Sequence, residues 1–203
     1  ILKSDFNPSL PFRNGHLNTV YRPLFMKETC NYTRKRITTW DDHFIDLDFS
    51  LVGSKTLVIL IHGLEGSSQS KYILAATSEF NNEAIDTVAF NLRSCSGEDN
   101  LLLHTYHSGK TDDVQFAKTQ SSKIKCAVAV SVPVDLSSSS AVMSSYKNKV
   151  YMENFLKTLR LKVLEKARKF PEFKFDKDKL LKAKSFSDFD GLYTAPVFGY
   201  SGA

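Results

Sequence analysis

The sequence contains little cysteine, which limits the covalent and metal chemistry that it can support. Its 203 residues include three cysteines, Cys30, Cys95 and Cys126, which lie far apart in the chain. Their odd number and wide spacing argue against a disulfide framework and a zinc site, and favour a reducing compartment. We therefore expect a cytoplasmic protein without a metal or other cofactor.

Long apolar runs are also lacking. The longest run, residues 56–61, has the length of a strand, whereas a membrane-spanning helix needs about 20 apolar residues. No secretory signal pattern opens the sequence, although it begins with Ile1 rather than Met, which leaves room for a targeting segment upstream. Hydrophobic residues make up 42% and charged residues 24%, close to the globular average, which argues against a disordered tail.

Positive charge is concentrated in one segment of the chain. Residues 146–184 contain 13 Lys or Arg and 5 Asp or Glu, a net charge of +8. The remainder of the chain carries 14 basic and 17 acidic residues, a net charge of −3. A solvated helical face is the usual explanation of such a run, and contact with an anionic substrate or a membrane surface is the alternative. We expect no nucleic-acid binding, because no basic-aromatic module signature accompanies the charge.

Hydrophobic periodicity predicts alternating strands and helices as far as residue 132. Residues 34–40 and 44–51 predict a hairpin, and in its second strand Ile45, Leu47 and Phe49 alternate with polar residues, as in a half-buried strand. Three continuous apolar runs predict strands covered on both faces of a parallel sheet, with two helices between them. These strands are expected at 55–61, 85–91 and 124–132, the helices at 70–80 and 111–120, and an irregular arm at 1–27.

The later part of the chain is predicted to be mainly helical. Residues 147–170 carry one apolar stripe and end before Pro171, and Asp176 caps a shorter helix over 176–184. The serine run at 137–140 predicts a loop. The whole pattern predicts an α/β fold with a mostly parallel sheet, an N-terminal antiparallel hairpin and a helical cap. The expected boundaries are 1–136 for the core, 137–195 for the cap and 196–203 for a return toward the core.

The sharpest chemical feature is the turn H-G-L-E-G-S at residues 62–67, directly after an apolar strand. Gly63 and Gly66 permit tight or positive-φ backbone geometry, and the carboxyl ends of parallel strands are where open α/β sheets bind ligands. Backbone amides in such a turn can stabilise an oxyanion, and the N–H of Leu64 is the best candidate. His62 and Glu65 complete the candidate site. A plain glycine-rich turn is the alternative.

Four motifs in order resemble the YheT-like branch of the α/β-hydrolases. Residues 62–67 match H-G-L-E-G-S, and N-G-H-L-N-T at 14–19 is similar to N-P-H-L-Q-T. F-N-L-R-S-C-S-G-E at 90–98 resembles F-R-G-C-S-G-E, with Ser94 where the family often has glycine, and residues 106–112 resemble Y-H-S-G-x-T-x-D. The resemblance implies a serine hydrolase that acts on carboxylic esters, lipid-like ones among them, through an acyl-enzyme.

The nucleophile that this resemblance implies has no matching position in the sequence. Its G-x-S-x-G-G-N elbow is expected where Gln120 is followed directly by Ser121, and the family's acid and histidine lie beyond residue 203. We favour an interruption of the sequence at that junction. A deleted, non-catalytic relative that binds a ligand is the alternative, and acyl transfer to an acceptor other than water is a third hypothesis.

Further residues are weaker candidates. Arg93 and His107 are expected at the mouth of the active site, although Arg93 could instead form a loop-fixing pair with Glu98. The side chain of His62 is expected to hold its loop in shape. Ser201, in the elbow-like G-Y-S-G-A at 199–203, is a much weaker nucleophile candidate, because the sequence ends before a helix could follow it.

Overall fold

The computed structural model describes residues 7–107, 112–113, 126–130 and 132–201. The chain divides into two compact units, one formed by Ile1–Thr38 with Phe44–Gly97 and the other by Thr39–His43 with Glu98–Ala203. The Gln120–Ser121 junction and most of the helix predicted at 111–120 lie outside the described residues, of which 112–113 are helical. No helix among the described residues is both long enough and apolar enough to cross a membrane.

The first unit contains a mixed four-stranded sheet. Its strands are β1 (Thr33–Thr38), β2 (Phe44–Ser50), β3 (Leu57–Ile61) and β4 (Asp86–Phe90), arranged in the order β1-β2-β4-β3. The β1–β2 and β2–β4 pairs are antiparallel, and the β3–β4 pair is parallel. The predicted hairpin and the first two predicted parallel strands are therefore confirmed.

The prediction that β3 is covered on both faces is wrong. Leu57, Ile59 and Ile61 are 48%, 42% and 44% exposed, because β3 lies at an edge of the described sheet. Val58 and Leu60, on the other face, are half-buried. Helix α2 (Lys71–Asn82) packs against β3 and β4. One side of β3 thus remains without a covering layer in the described structure.

The strand predicted at 124–132 is also wrong for its described residues. Residues 126–130 and 132 form no strand, and Val128 and Val130 are 86% and 80% exposed. An apolar run becomes a strand only where a neighbouring strand accepts its backbone hydrogen bonds. The described sheet ends at β3, so this run has no described strand with which to pair.

The alternation of apolar and polar residues in β2 does not correspond to one buried and one exposed face. Its polar residues Asp46 and Asp48 were expected on a solvated face, yet both are 1% exposed. Arg36 and Arg34 of the neighbouring strand β1 neutralise them across the sheet. Ion pairing therefore allows β2 to bury both of its faces.

The predicted irregular arm contains a helix, α1 (Gly15–Phe25), preceded by a 3-10 turn at Leu10–Arg13. The side chain of Asn14 accepts hydrogen bonds from the backbone N–H groups of His16 and Leu17 at 3.0 and 3.1 Å. Such capping satisfies amides that would otherwise lack partners at the helix start. Pro23, which was expected to discourage regular structure, lies inside the helix.

The second unit is helical over residues 136–198. Its helices are α3 (Leu136–Met143), α4 (Lys149–Lys169), α5 (Lys177–Lys182), α6 (Phe186–Phe189) and α7 (Ala195–Phe198), with a π-helical turn at Asp190–Thr194. The core of this unit consists of Met152, Leu156, Val163, Leu180, Phe189 and Tyr193. The apolar stripe predicted for α4 and the cap of Asp176 on α5 are confirmed.

Two expectations for the second unit are wrong. The serine run at 137–140 lies in α3, because the carboxylate of Asp135 accepts a hydrogen bond from the N–H of Ser138 and caps the helix. The elbow-like segment before Ser201 is helical rather than extended, and Gly199 ends α7 in the left-handed conformation with φ 72°. Ser201 is therefore not at the end of a strand.

Candidate functional site

The turn after β3 has the hydrogen bond and dihedral pattern of a type II turn. The N–H of Gly66 donates to the carbonyl of Gly63 at 3.0 Å, and Glu65, the second central residue, has φ 54°. A positive φ at that position and a negative φ at the first central residue, Leu64, define this turn type. The expected positive φ therefore falls on Glu65, and neither glycine of the motif adopts one.

Gly66 is required by close packing. A Cβ atom at this position would lie 2.9 Å from the hydroxyl of Tyr72, 3.0 Å from that of Ser70 and 3.1 Å from the carbonyl of Gly63. At Gly63 the nearest atom would be 3.8 Å away, an ordinary contact. The second glycine of H-G-L-E-G-S thus allows the turn to close onto the start of α2.

Backbone donors on either side of the tip of the turn are occupied. The N–H of Gly63 donates to the hydroxyl of Tyr72 at 2.8 Å, and the N–H of Ser67 donates to the hydroxyl of Ser70 at 2.9 Å. The N–H of Leu64 has no acceptor among the residues that the structure describes, and Leu64 is 38% exposed. This amide is able to bind a ligand oxygen without breaking an internal hydrogen bond with a described residue.

His62 connects the turn to the segment after β4. It is 4% exposed, and its Nε2 accepts a hydrogen bond from the N–H of Leu92 at 3.1 Å. Because Nε2 accepts, the neutral ring carries its proton on Nδ1, which donates to the carbonyl of Gly63 at 2.7 Å. Both ring nitrogens therefore hold the turn in place, and neither is left to act as a general base.

Asn91 holds the other end of the turn and was not anticipated from the sequence. Its Oδ1 accepts the N–H of Ser68 at 2.9 Å, and its Nδ2 donates to Asp48 Oδ2 at 2.9 Å and to the carbonyl of Asp46 at 3.0 Å. A single polar residue at the end of an apolar strand gives no periodic signal. Its position directly after β4 was the only available indication.

The two residues expected at the mouth of the site have different environments. Arg93 is 1% exposed, and its place at the mouth of the active site stays a prediction. His107 belongs to the second unit, where its ring is half-buried and lies 4.5 Å from that of Phe198. Its Nε2 is 3.4 Å from the hydroxyl of Tyr200. The described residues contain no group of three or more His, Cys, Asp or Glu that could hold a metal ion.

Comparison with known proteins gives matches along most of the chain, although no protein-family model matches it. YheT of Escherichia coli, which carries the name of an esterase, is 26% identical over 98% of this chain and 70% of its own length. The monoacylglycerol lipase of Saccharomyces cerevisiae is 26% identical over 74% of this chain and 42% of its own length. Human phospholipase ABHD3 is 23% identical over 98% of this chain and 59% of its own length. The chain therefore spans less than two thirds of the lipase and the phospholipase.

Among solved structures, an esterase from Pyrococcus furiosus is similar to part of the chain. It overlaps 44% of this chain and 35% of its own, with 22% identity and a TM-score of 0.36.

The stretch that aligns with YheT is longer than this chain. The alignment with YheT extends over 238 positions, whereas this chain has 203 residues, so at least 35 aligned positions have no residue of this chain. Gln120 and Ser121 lie outside the described residues, so the expected interruption there stays a prediction. The ordered motifs and the similarity to YheT, the lipase and the phospholipase support a YheT-like α/β-hydrolase family for this chain.

Proposed function

We propose that this protein acts on carboxylic esters and that residues 62–67 stabilise the oxyanion formed in the reaction. The observation that carries the proposal is the N–H of Leu64, which has no acceptor among the described residues and lies at the tip of a turn in which Gly63 and Ser67 donate to hydroxyl groups. The names of its relatives, which include a monoacylglycerol lipase and a phospholipase, support an ester with a lipid-like acyl group.

Each candidate residue has a distinct part in this proposal. Attack on the ester carbonyl converts it to a tetrahedral intermediate with a negatively charged oxygen, to which Leu64 donates its N–H. Glu65 supplies the positive φ that forms the turn. His62 joins the turn to Leu92, after β4, and Gly63 joins it to Tyr72 of α2. These contacts exist before substrate binds, so the donor needs no reorganisation during the reaction.

Hydrolysis through an acyl-enzyme also requires a serine, a base and an acid, and the expected serine has no matching position in the sequence. Enzymes stripped of a catalytic triad residue retain about 10³–10⁴-fold acceleration over water from the oxyanion site and substrate binding. We therefore expect slow ester turnover by the 203-residue chain, below that of a relative with a complete triad.

A second candidate function is ligand binding without turnover. It is favoured by the at least 35 positions of the YheT alignment that have no residue of this chain, and by the exposed face of β3, where the described sheet ends. Acyl transfer would use the same oxyanion site, and a product ester formed with an added alcohol would distinguish it from hydrolysis.

The purified protein should be tested with p-nitrophenyl butyrate and a fluorophosphonate probe, and its binding of the product butyrate should be measured in parallel. The proposal predicts saturable turnover above buffer hydrolysis, and labelling would additionally reveal an activated serine. Saturable binding of butyrate without turnover or labelling favours the second candidate. Absence of turnover, labelling and binding contradicts both.

A further inference from the structure

The turn at 62–67 is held at both ends by two consecutive residues that follow β4. At its start, Leu92 donates its N–H to His62. Beyond its end, the N–H of Ser68 donates to the side chain of Asn91. Since Leu64 lies between these two attachments, its place depends on how rigidly each is held.

The Asn91 side chain is fully committed to this arrangement. It is 1% exposed, and both protons of Nδ2 face acceptors, namely Asp48 Oδ2 and the carbonyl of Asp46. The orientation of the amide is assigned by these contacts, because reversing it would set Oδ1 against two acceptors and Nδ2 against the N–H of Ser68.

The acceptor behind Asn91 is itself fixed. Asp48 receives Arg34 Nε at 2.7 Å and Arg34 Nη2 at 2.8 Å, and it also hydrogen-bonds with the hydroxyl of Ser68. A continuous chain of polar contacts therefore runs from β1 through β2 and Asn91 to the entry of α2.

We propose that Asn91 is a positioning residue that sets the place of the Leu64 N–H through Ser68. The inference rests on the proposed function, since it concerns the donor assigned to the oxyanion. Misplacing a reacting group by about 1 Å costs on the order of 10²-fold in rate. Disturbing Asn91 should therefore lower turnover more than it lowers stability.

The chain offers both a rescue and a matched control. Asn91→Asp sets a second carboxylate against Asp48, and adding Asp48→Asn restores a donor and an acceptor across that contact. Asn81→Leu removes another side-chain amide of the same unit, which accepts from Ser50 Oγ at 2.6 Å and donates to the carbonyl of Ile85 at 2.9 Å. No hydrogen bond of the Asn81 side chain reaches the turn.

The test combines the backbone amide signals of Leu64 and Ser68, measured by ¹⁵N NMR, with kcat and KM for p-nitrophenyl butyrate. We expect Asn91→Asp to shift both signals and lower kcat about tenfold to a hundredfold at nearly constant KM. The double variant should recover both readouts in part, because the carbonyl of Asp46 still lacks the donor that Asn91 provides. Asn81→Leu should lower Tm while leaving the Leu64 signal and the kcat of the folded fraction unchanged.

Unmoved amide signals in Asn91→Asp, or equal losses of kcat in Asn91→Asp and Asn81→Leu at matched folded fraction, would overturn the inference. If the unaltered protein shows no turnover, the proposed function fails, and the NMR arm decides the positioning role by itself.

Discussion

Arg34 binds Asp48 across β1 and β2 through two hydrogen bonds, Nε to Oδ1 at 2.7 Å and Nη2 to Oδ2 at 2.8 Å. The carboxylate is nearly inaccessible, whereas the Arg34 side chain is 42% exposed. Burial by itself would raise the pKa of Asp48. Hydrogen bonds from Arg34, Ser68 and Asn91, together with the charge of Arg34, outweigh burial and hold that pKa below its usual range.

This ion pair makes stability dependent on acid. Because the folded-state pKa lies below the unfolded value of about 3.9, the carboxylate stabilises the fold fully above that pH and loses its effect as the pH falls through the folded value. Arg34→Leu should cost about 2–3 kcal/mol at pH 7, with allowance for the exposure of Arg34. Urea unfolding at pH 7 and pH 3 should show this cost shrinking in acid. Asp178→Asn, which changes a carboxylate at an exposed position, is the control. A cost of Arg34→Leu that does not change between pH 7 and pH 3 would contradict the account.

Lys166 lies inside the basic segment but is fully buried. Its ammonium donates to the carbonyl of Asn100 at 2.8 Å, to the side chain of Asn100 and to the carbonyl of Leu102, and it lies 3.0 Å from Asp99 Oδ1. Burial lowers the pKa of Lys166, and Asp99 opposes this effect. Lys166→Met should cost roughly 2–3 kcal/mol of unfolding free energy through lost charged hydrogen bonds.

The matched control for Lys166 is Lys169→Met. Lys169 also contacts Asp99, at 2.7 Å, but is 45% exposed, so its loss should cost about 0–1 kcal/mol in the same urea experiment. Equal costs for the two variants would contradict the buried placement of Lys166.

Membrane contact through the basic segment stays a prediction. It should be tested at the exposed Lys149, Lys157 and Arg168, and replacement of all three by Glu should abolish binding to anionic vesicles.

Helix α2 ends in a Schellman motif that lacks its preferred glycine. The N–H of Ala84 donates to the carbonyl of Asn81 at 3.0 Å, and the N–H of Ile85 donates to that of Phe80 at 2.9 Å. Ala84 has φ 56°, the left-handed conformation that glycine adopts without steric cost. Ala84→Gly should therefore raise the free energy of unfolding by about 0.5–1 kcal/mol.

Replacement of alanine by glycine in the interior of this helix should change the free energy of unfolding in the opposite direction. Ala76→Gly should lower the free energy of unfolding by about 0.5–1 kcal/mol, because glycine is costly in a helix interior. Thermal and urea unfolding of both variants provide the comparison. Destabilisation by Ala84→Gly would show that the left-handed end of α2 does not form as described.

The outer face of β3 should tolerate polar residues that a covered strand would not. Ile59 is 42% exposed, whereas Val88 on the neighbouring strand is 3% exposed. Ile59→Thr should cost less than about 1 kcal/mol and lower the binding of the dye ANS, since it interrupts an exposed apolar stripe. Val88→Thr should cost about 1–3 kcal/mol through a buried hydroxyl. A similar cost for both would mean that β3 is covered in solution.

The strands and the long helix could be predicted because their signals are local. The continuous run at 57–61 and the stripe through Met152, Leu156 and Val163 each indicate their element without reference to the rest of the chain. The turn at 62–67 was predictable for the same reason, since its glycines follow directly after an apolar strand.

The remaining features depend on partners distant in the sequence. Asp46 and Asp48 are buried only because arginines of the adjacent strand neutralise them, and the period within β2 holds no information about those arginines. The exposure of Ile59 likewise reflects the end of the sheet at β3 rather than anything in β3 itself. Asn91 escaped notice because its role arises from Asp48 and Ser68, which lie 43 and 23 residues away.

The measurement that tests the central claim most directly compares Leu64→Pro with Leu64→Ala. Proline suits the first central position of a type II turn, so it should keep the turn while removing the N–H, whereas alanine keeps both. If Leu64 stabilises the oxyanion, Leu64→Pro should lower kcat for p-nitrophenyl butyrate by about 10²–10³-fold at unchanged Tm, and Leu64→Ala should leave kcat close to that of the unaltered protein. Equal turnover by the two variants would contradict the assignment of the oxyanion site to this turn.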